Sequence, residues 1–179
     1  MAFFTENQVK DETLLEVAKK MLIAARTAPK GRGFDNLALA IVTGNELKKL
    51  CEEVIAIGEK ESNPTFLRDG NNVLQSAGVV LLLGTRIKPL GLKICGLCGF
   101  GNCAGKEQYP DAPCIFNTSD LGTATGSAVA LAADHRVDTR IMYTLGYAAV
   151  RMQLLGPEYK IAYGIPLSAL SKNPFFDRK

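Results

Sequence analysis

The chain has 179 residues, 47% hydrophobic and 22% charged, with a formal net charge of +3, which is sufficient for one domain (residues 1–179) with a substantial core. Its Lys and Arg residues are scattered rather than striped, and its longest apolar runs, such as Ala77–Gly84, fall far short of a membrane span. Nucleic acid and membrane are therefore excluded as expected partners. The start, Met1-Ala-Phe-Phe-Thr-Glu6, turns polar too soon for a signal peptide, so a cytoplasmic protein is expected. In that reducing compartment dense cysteines point to metal ligation rather than disulfides, and the Asn117-Thr-Ser119 sequon is accidental.

Residues 11–28 carry Leu14, Leu15, Ala18, Met21, Leu22 and Ala25 at helical spacing, with Asp11 as the expected cap and Pro29 as the stop. The loop Lys30-Gly-Arg-Gly-Phe-Asp-Asn36 leads to a buried strand, Leu37–Thr43. Thr43-Gly-Asn-Glu46 has the form of a capping box opening a helix to about Lys60, with Leu47, Leu50, Cys51, Val54 and Ile57 or Gly58 on its apolar face. Cys51 belongs to that stripe and reads as a core thiol. Residues 59–69 are polar and read as a loop, followed by a short helix over 70–76 and a second buried strand, Val79–Leu83. Arg86–Leu92 then carries the chain into a cysteine-rich loop, residues 93–116.

Four of the five cysteines fall there, as Cys95-Gly-Leu-Cys98-Gly-Phe-Gly-Asn-Cys103 and then Cys114, a C-x2-C-x4-C-x10-C run. Thiolates are soft ligands suited to iron–sulfur clusters, zinc or Cu(I), and Gly96, Gly99 and Gly101 let the backbone fold tightly around an inorganic core. Zinc ribbons and fingers bring two C-x2-C pairs or paired histidines, whereas here there is one pair and no histidine nearby. A [4Fe–4S] cluster on Cys95, Cys98, Cys103 and Cys114 is thus the leading reading. Zinc is the alternative, and a metal-free thiol or disulfide state the third.

Beyond Cys114, Ser119-Asp120 is the expected cap of a helix running to about His135. Its interior, Gly122-Thr-Ala-Thr-Gly126-Ser-Ala128, is built of small residues, which implies tight packing in the core or at a dimer interface, or the approach of a flat ligand. His135 suits a helix C-terminus, and Asp134, Arg136, Asp138 and Arg140 read as a salt-bridged surface or subunit contact. A strand over 139–145, a helix near 147–154 and a strand over 160–166 complete an α+β pattern. The cations Lys30 and Arg32 in their glycine-rich loop are candidates to meet a phosphate. No Ser-His-Asp order, G-x-S-x-G, HExxH or P-loop is present.

The chain resembles the bacterial and archaeal "ferredoxin domain-containing" family of unknown function, DUF2148. The resemblance rests on the stretch Cys95–Cys103, Asp120-Leu-Gly-Thr-Ala-Thr-Gly-Ser-Ala-Val129, Asp134-His-Arg-Val-Asp-Thr-Arg-Ile-Met-Tyr-Thr-Leu-Gly146, Gly164-Ile-Pro-Leu-Ser168 and Phe175-Phe-Asp-Arg178. More loosely, Ala24-Ala-Arg-Thr-Ala-Pro-Lys-Gly-Arg-Gly-Phe-Asp-Asn36 is similar to the segment after the first helix of flavin nitroreductases. Lys30 stands where those proteins carry serine, and their early Arg-x-Ser segment is absent from this sequence. The resemblance implies a nitroreductase-like α+β sandwich: a central mixed or antiparallel sheet flanked by helices, with the four-cysteine loop added. It implies a homodimer packed through long helices and FMN at the dimer interface, with Lys30, Arg32 and Asn36 as flavin contacts. The expected function is an iron–sulfur redox protein: an electron carrier exchanging with a redox partner protein, or an oxidoreductase acting on a small-molecule acceptor. A zinc-stapled interaction module without redox activity is the alternative.

Overall fold

The computed structural model describes residues 2–176. Its elements in chain order are α1 (Glu6–Thr27), β1 (Leu37–Thr43), α2 (Gly44–Lys60), α3 (Pro64–Ser76), β2 (Val79–Arg86), α4 (Cys103–Glu107), α5 (Ile115–Asp134), β3 (Asp138–Thr139), α6 (Tyr143–Arg151) and β4 (Tyr159–Ser168). The strands form one antiparallel sheet in the order β1-β2-β4-β3. The central strand β2 has an unbroken apolar run because both of its faces are covered. Val79, Leu81 and Leu83 pack with α1 and α5 on one side. Val80 and Leu82 pack with α2, α3 and α6 on the other. The result is three layers, with the sheet in the middle. Among the described residues no helix is long and apolar enough to cross a membrane.

Several boundaries depart from expectation for local reasons. Helix α1 starts at Glu6 rather than Asp11, because the Gln8 carboxamide oxygen accepts from the Thr5 N–H (2.8 Å) and hydroxyl (3.0 Å). Thr43 precedes α2 without a side-chain cap bond, and Glu46 instead pairs with Lys49 at 2.6 Å. The polar stretch expected as loop is already helix from Pro64, since Asn63 Oδ1 accepts from the N–H groups of Thr65 and Phe66 and proline suits the first helical position. Helix α5 begins at Ile115, with Cys114 in the N-cap position and no side-chain cap bond, rather than at Ser119 or Asp120.

The largest correction concerns residues 139–145. Their β-branched and aromatic content reads as a strand, yet only Asp138–Thr139 pairs with β4. Met142 makes one further bridge, exchanging bonds with Gly164 (2.8 and 3.0 Å), and the chain then turns into α6. Gly146 lets α6 rest directly on β4, since a Cβ there would overlap the Ala162 carbonyl. Arg140 is not part of an alternating surface either. It faces the buried Asp69 (3.9 Å), which also receives Arg68 (2.7 Å) and the Thr144 hydroxyl (2.9 Å). Arg140 further donates to the Phe175 carbonyl, and Asn72 to that of Pro174, tying the fully buried Phe175 ring into the core.

Candidate functional site

After β2 the chain leaves the sheet and runs irregularly to α4. Both ends of this excursion are held to α5. The Lys88 N–H donates to Asn117 Oδ1 (2.9 Å) and Asn117 Nδ2 donates to the Lys88 carbonyl (3.0 Å), with the Asn117 side chain wholly buried. At the far end Cys114, 5% exposed, is the residue from which α5 starts.

Between those anchors the cysteine segment is folded on itself. The Gly99 N–H donates to the Gly96 carbonyl (2.9 Å), placing Cys98 within a tight turn. A Cβ on Gly96 would come within 2.8 Å of the Gly101 carbonyl, so the two backbones touch. Asn102 Oδ1 accepts from the Gly105 N–H (2.8 Å) and starts α4 at Cys103. Cys95, Cys98 and Cys103 are half-buried, while Ile94 and Leu97 beside them project into solvent, 92% and 73% exposed. The donor set suits a soft metal or cluster. The placement does not assemble it: among the described residues no three His, Cys, Asp or Glu side chains converge closely enough to hold a metal ion. The four thiols share a segment but not a cage, because Cys103 opens α4 while Cys114 lies beyond it, buried at the start of α5.

The fifth thiol behaves as expected. Cys51 is fully buried in the α2 core face, and burial, then the charge of Glu52, pushes its pKa up to about 12.

Beside the cysteine segment lies the loop between α1 and β1. Its backbone docks on α5 through the Gly31 N–H, which donates to both carboxylate oxygens of Asp120 (3.0 and 3.1 Å). Lys30 turns its ammonium onto the carbonyls of Ala25, Arg26 and Ala28 at the end of α1 (2.8–3.1 Å). It closes a helix. Arg32 holds a left-handed backbone (φ 56°), donates to the Leu90 carbonyl (3.1 Å) and lies 5.2 Å over the Phe34 ring. The buried Asn36 accepts from Arg86 Nε at 3.0 Å. Asp35 pairs with Arg26. Burial alone would raise the Asp35 pKa, but the Arg26 bond, the Leu37 N–H and the nearby cationic charges hold it below the ordinary carboxylate value. The three residues expected to contact flavin thus share one loop, in which Arg32 is exposed, Lys30 half-buried and Asn36 buried. Sequence reading missed Arg86 and Lys88. The signal was there in Arg86-Ile-Lys88-Pro89, two cations where an apolar strand ends.

The small-residue face of α5 is also explained only in part. Ala124 and Ala128 are buried against α1, and Ser127 Oγ donates to the Ala24 carbonyl (2.9 Å). Gly122 and Gly126 instead face outward, and a Cβ on either would meet nothing within 4 Å among the described residues. Core packing is not their role.

Residues 110–178 match the family described as an uncharacterized protein containing a ferredoxin domain, DUF2148. An uncharacterized protein of Archaeoglobus fulgidus is 36% identical over 183 residues, covering 97% of this chain and 96% of its own length. The chain belongs to the DUF2148 family. The family match takes in Cys114 but begins beyond Cys95, Cys98 and Cys103, and two residues of its last stretch, Asp177 and Arg178, lie outside the described residues. In fold, this DUF2148 chain is similar to a nitroreductase with bound FMN from Bacteroides fragilis (TM-score 0.61, 15% identity, 88% of this chain and 80% of that one). A nitroreductase with bound FMN from Desulfitobacterium hafniense is comparable (0.59, 14%, 88% and 78%). So is a BluB-like flavoprotein from Clostridium difficile (0.58, 18%, 88% and 81%). The nitroreductase-like α+β architecture is established by this likeness.

Proposed function

We propose that this chain is a redox protein in which the cysteine segment carries one-electron chemistry on a nitroreductase-type scaffold. The observation that carries the reading is the segregation of the thiols. Cys51 is sealed in the core, whereas Cys95, Cys98, Cys103 and Cys114 share one glycine-folded segment anchored at both ends on α5. The ferredoxin domain in the family's description and the FMN in the names of the structural neighbours support the same class of function. A [4Fe–4S] cluster on the four thiolates would supply one-electron transfer. Binding one requires the segment to close from the arrangement described above, with Cys114 as the fixed point and the glycine turns as the moving part. FMN belongs to the proposal as a second redox group. Arg32 is its candidate contact, since it is the exposed one of the three, whereas the Lys30 ammonium is held by three carbonyls and Asn36 is buried.

Anaerobic reconstitution tests the proposal. Near-stoichiometric iron and sulfide with broad absorption around 400 nm is the expected result, lost on Cys98→Ser and retained on Cys51→Ser (wavelength approximate for such clusters). Zinc bound without iron or colour would instead establish the structural alternative.

A further inference from the structure

A cleft of about 170 Å³ opens between Phe34–Asn36 on one wall and Arg86–Leu90 on the other. Two bonds span it: Arg86 Nε to Asn36 Oδ1 (3.0 Å) and Arg32 Nη1 to the Leu90 carbonyl (3.1 Å). Arg86 sits at a register shift in the β2–β4 ladder, where a bulge re-aims a side chain, and its N–H donates to the Asn36 carbonyl at 3.2 Å. Its guanidinium is therefore fixed through Nε, while its Nη groups find no acceptor among the described residues. Lys88 is fixed through its backbone by Asn117, and its ammonium likewise has no partner there. The one carboxylate on the wall, Asp35, is already paired with Arg26. The cleft thus carries the free Nη donors of Arg86 and the exposed side chain of Lys88 beside the exposed Phe34 ring.

A guanidinium held by Nε offers its Nη donors to an oxyanion, and a second cation beside it favours a doubly charged group over a carboxylate. The volume is below the range for a whole drug-sized ligand, roughly 300–1,000 Å³, so the cleft suits a terminal group rather than an entire cofactor. We infer that this cleft is a phosphoryl-binding site, with Arg86 and Lys88 as its contacts. The group could belong to a flavin mononucleotide or to another phosphorylated small molecule. The inference does not depend on the cysteine segment holding a metal.

Calorimetric titration with FMN, riboflavin and inorganic pyrophosphate separates these sources. FMN binding at least tenfold tighter than riboflavin identifies a flavin phosphate. Pyrophosphate binding without FMN binding identifies another phosphorylated ligand and leaves the site standing while the flavin proposal fails. In either case Lys88→Gln should weaken binding of the phosphorylated probe about tenfold, and Arg86→Gln by more. Lys88→Gln keeps every backbone contact described, so it decides the matter even where Arg86→Gln impairs folding. The inference is overturned by riboflavin binding as tightly as FMN, by wild-type affinity of both probes for Lys88→Gln, or by no binding of either probe at millimolar concentration. Iron and sulfide content reads the other proposal separately.

Discussion

Cys51 and Cys98 carry the same thiol in opposite surroundings, and that difference is measurable. Cys51 has no solvent exposure and a pKa pushed up to about 12, so it stays protonated and unreactive where an ordinary thiol ionises. A cysteine-directed alkylating reagent at pH 8 should label Cys95, Cys98 and Cys103 in the native apo-protein and spare Cys51, as peptide mass mapping would read. The same shift links stability to pH. The folded chain keeps the Cys51 proton that the unfolded chain releases, so stability present below about pH 9 is progressively lost as pH rises toward 12. Denaturant melts between pH 7 and 10.5 should show this slope, and Cys51→Ala should flatten it. The placement of Cys51 was legible in the sequence because helical spacing puts it on an apolar stripe. Lys30 was not: a cation among glycines reads as a ligand contact, and only the return of the chain onto α1 shows that three carbonyls claim it.

At the scale of elements, glycine has two different jobs in α5 and α6. Gly146 lies where α6 rests directly on β4, and the added methyl of Gly146→Ala would meet the Ala162 backbone. Thermal denaturation should show a loss at the upper end of the overpacking range, about 3 kcal/mol. Gly126 on α5 opens to empty space, so Gly126→Ala should stabilise the isolated chain by up to about 1 kcal/mol through helix propensity alone. The contrast between these two variants tests the packing of both helices. Strands β1 and β2 were readable because an apolar run covered on both faces has few alternatives. The strand expected at 139–145 was not, because Ile141 and Tyr143 suit a strand equally well and the deciding contact, Gly146 against β4, is remote in sequence. Nor did the pattern reveal that the cysteine run would leave its thiols apart, since spacing fixes which residues share a loop and not how that loop closes.

For the whole molecule, the outward face of α5, with Ser119, Gly122, Thr123, Gly126 and Ala130 exposed, is where we propose that a second copy packs. Sedimentation at micromolar concentration should give a dimer, and Gly126→Leu, whose Cβ meets nothing within 4 Å among the described residues, should shift it toward a folded monomer. A monomeric wild type would discard the homodimer. The stapling of the cysteine excursion also bears on what the fold needs in order to form. The central β2–β4 pairing brings together strands separated by the whole of residues 87–158, a closure that is slow to form but is secured by main-chain bonds and apolar contact. Asn117 holds both ends of the excursion with protein groups alone, its side chain bonding the Lys88 backbone and its N–H donating to the Cys114 carbonyl (3.0 Å). The scaffold can therefore be complete before the proposed cluster is inserted. Removing the proposed cluster should cost the protein its colour while leaving its melting temperature nearly where it was.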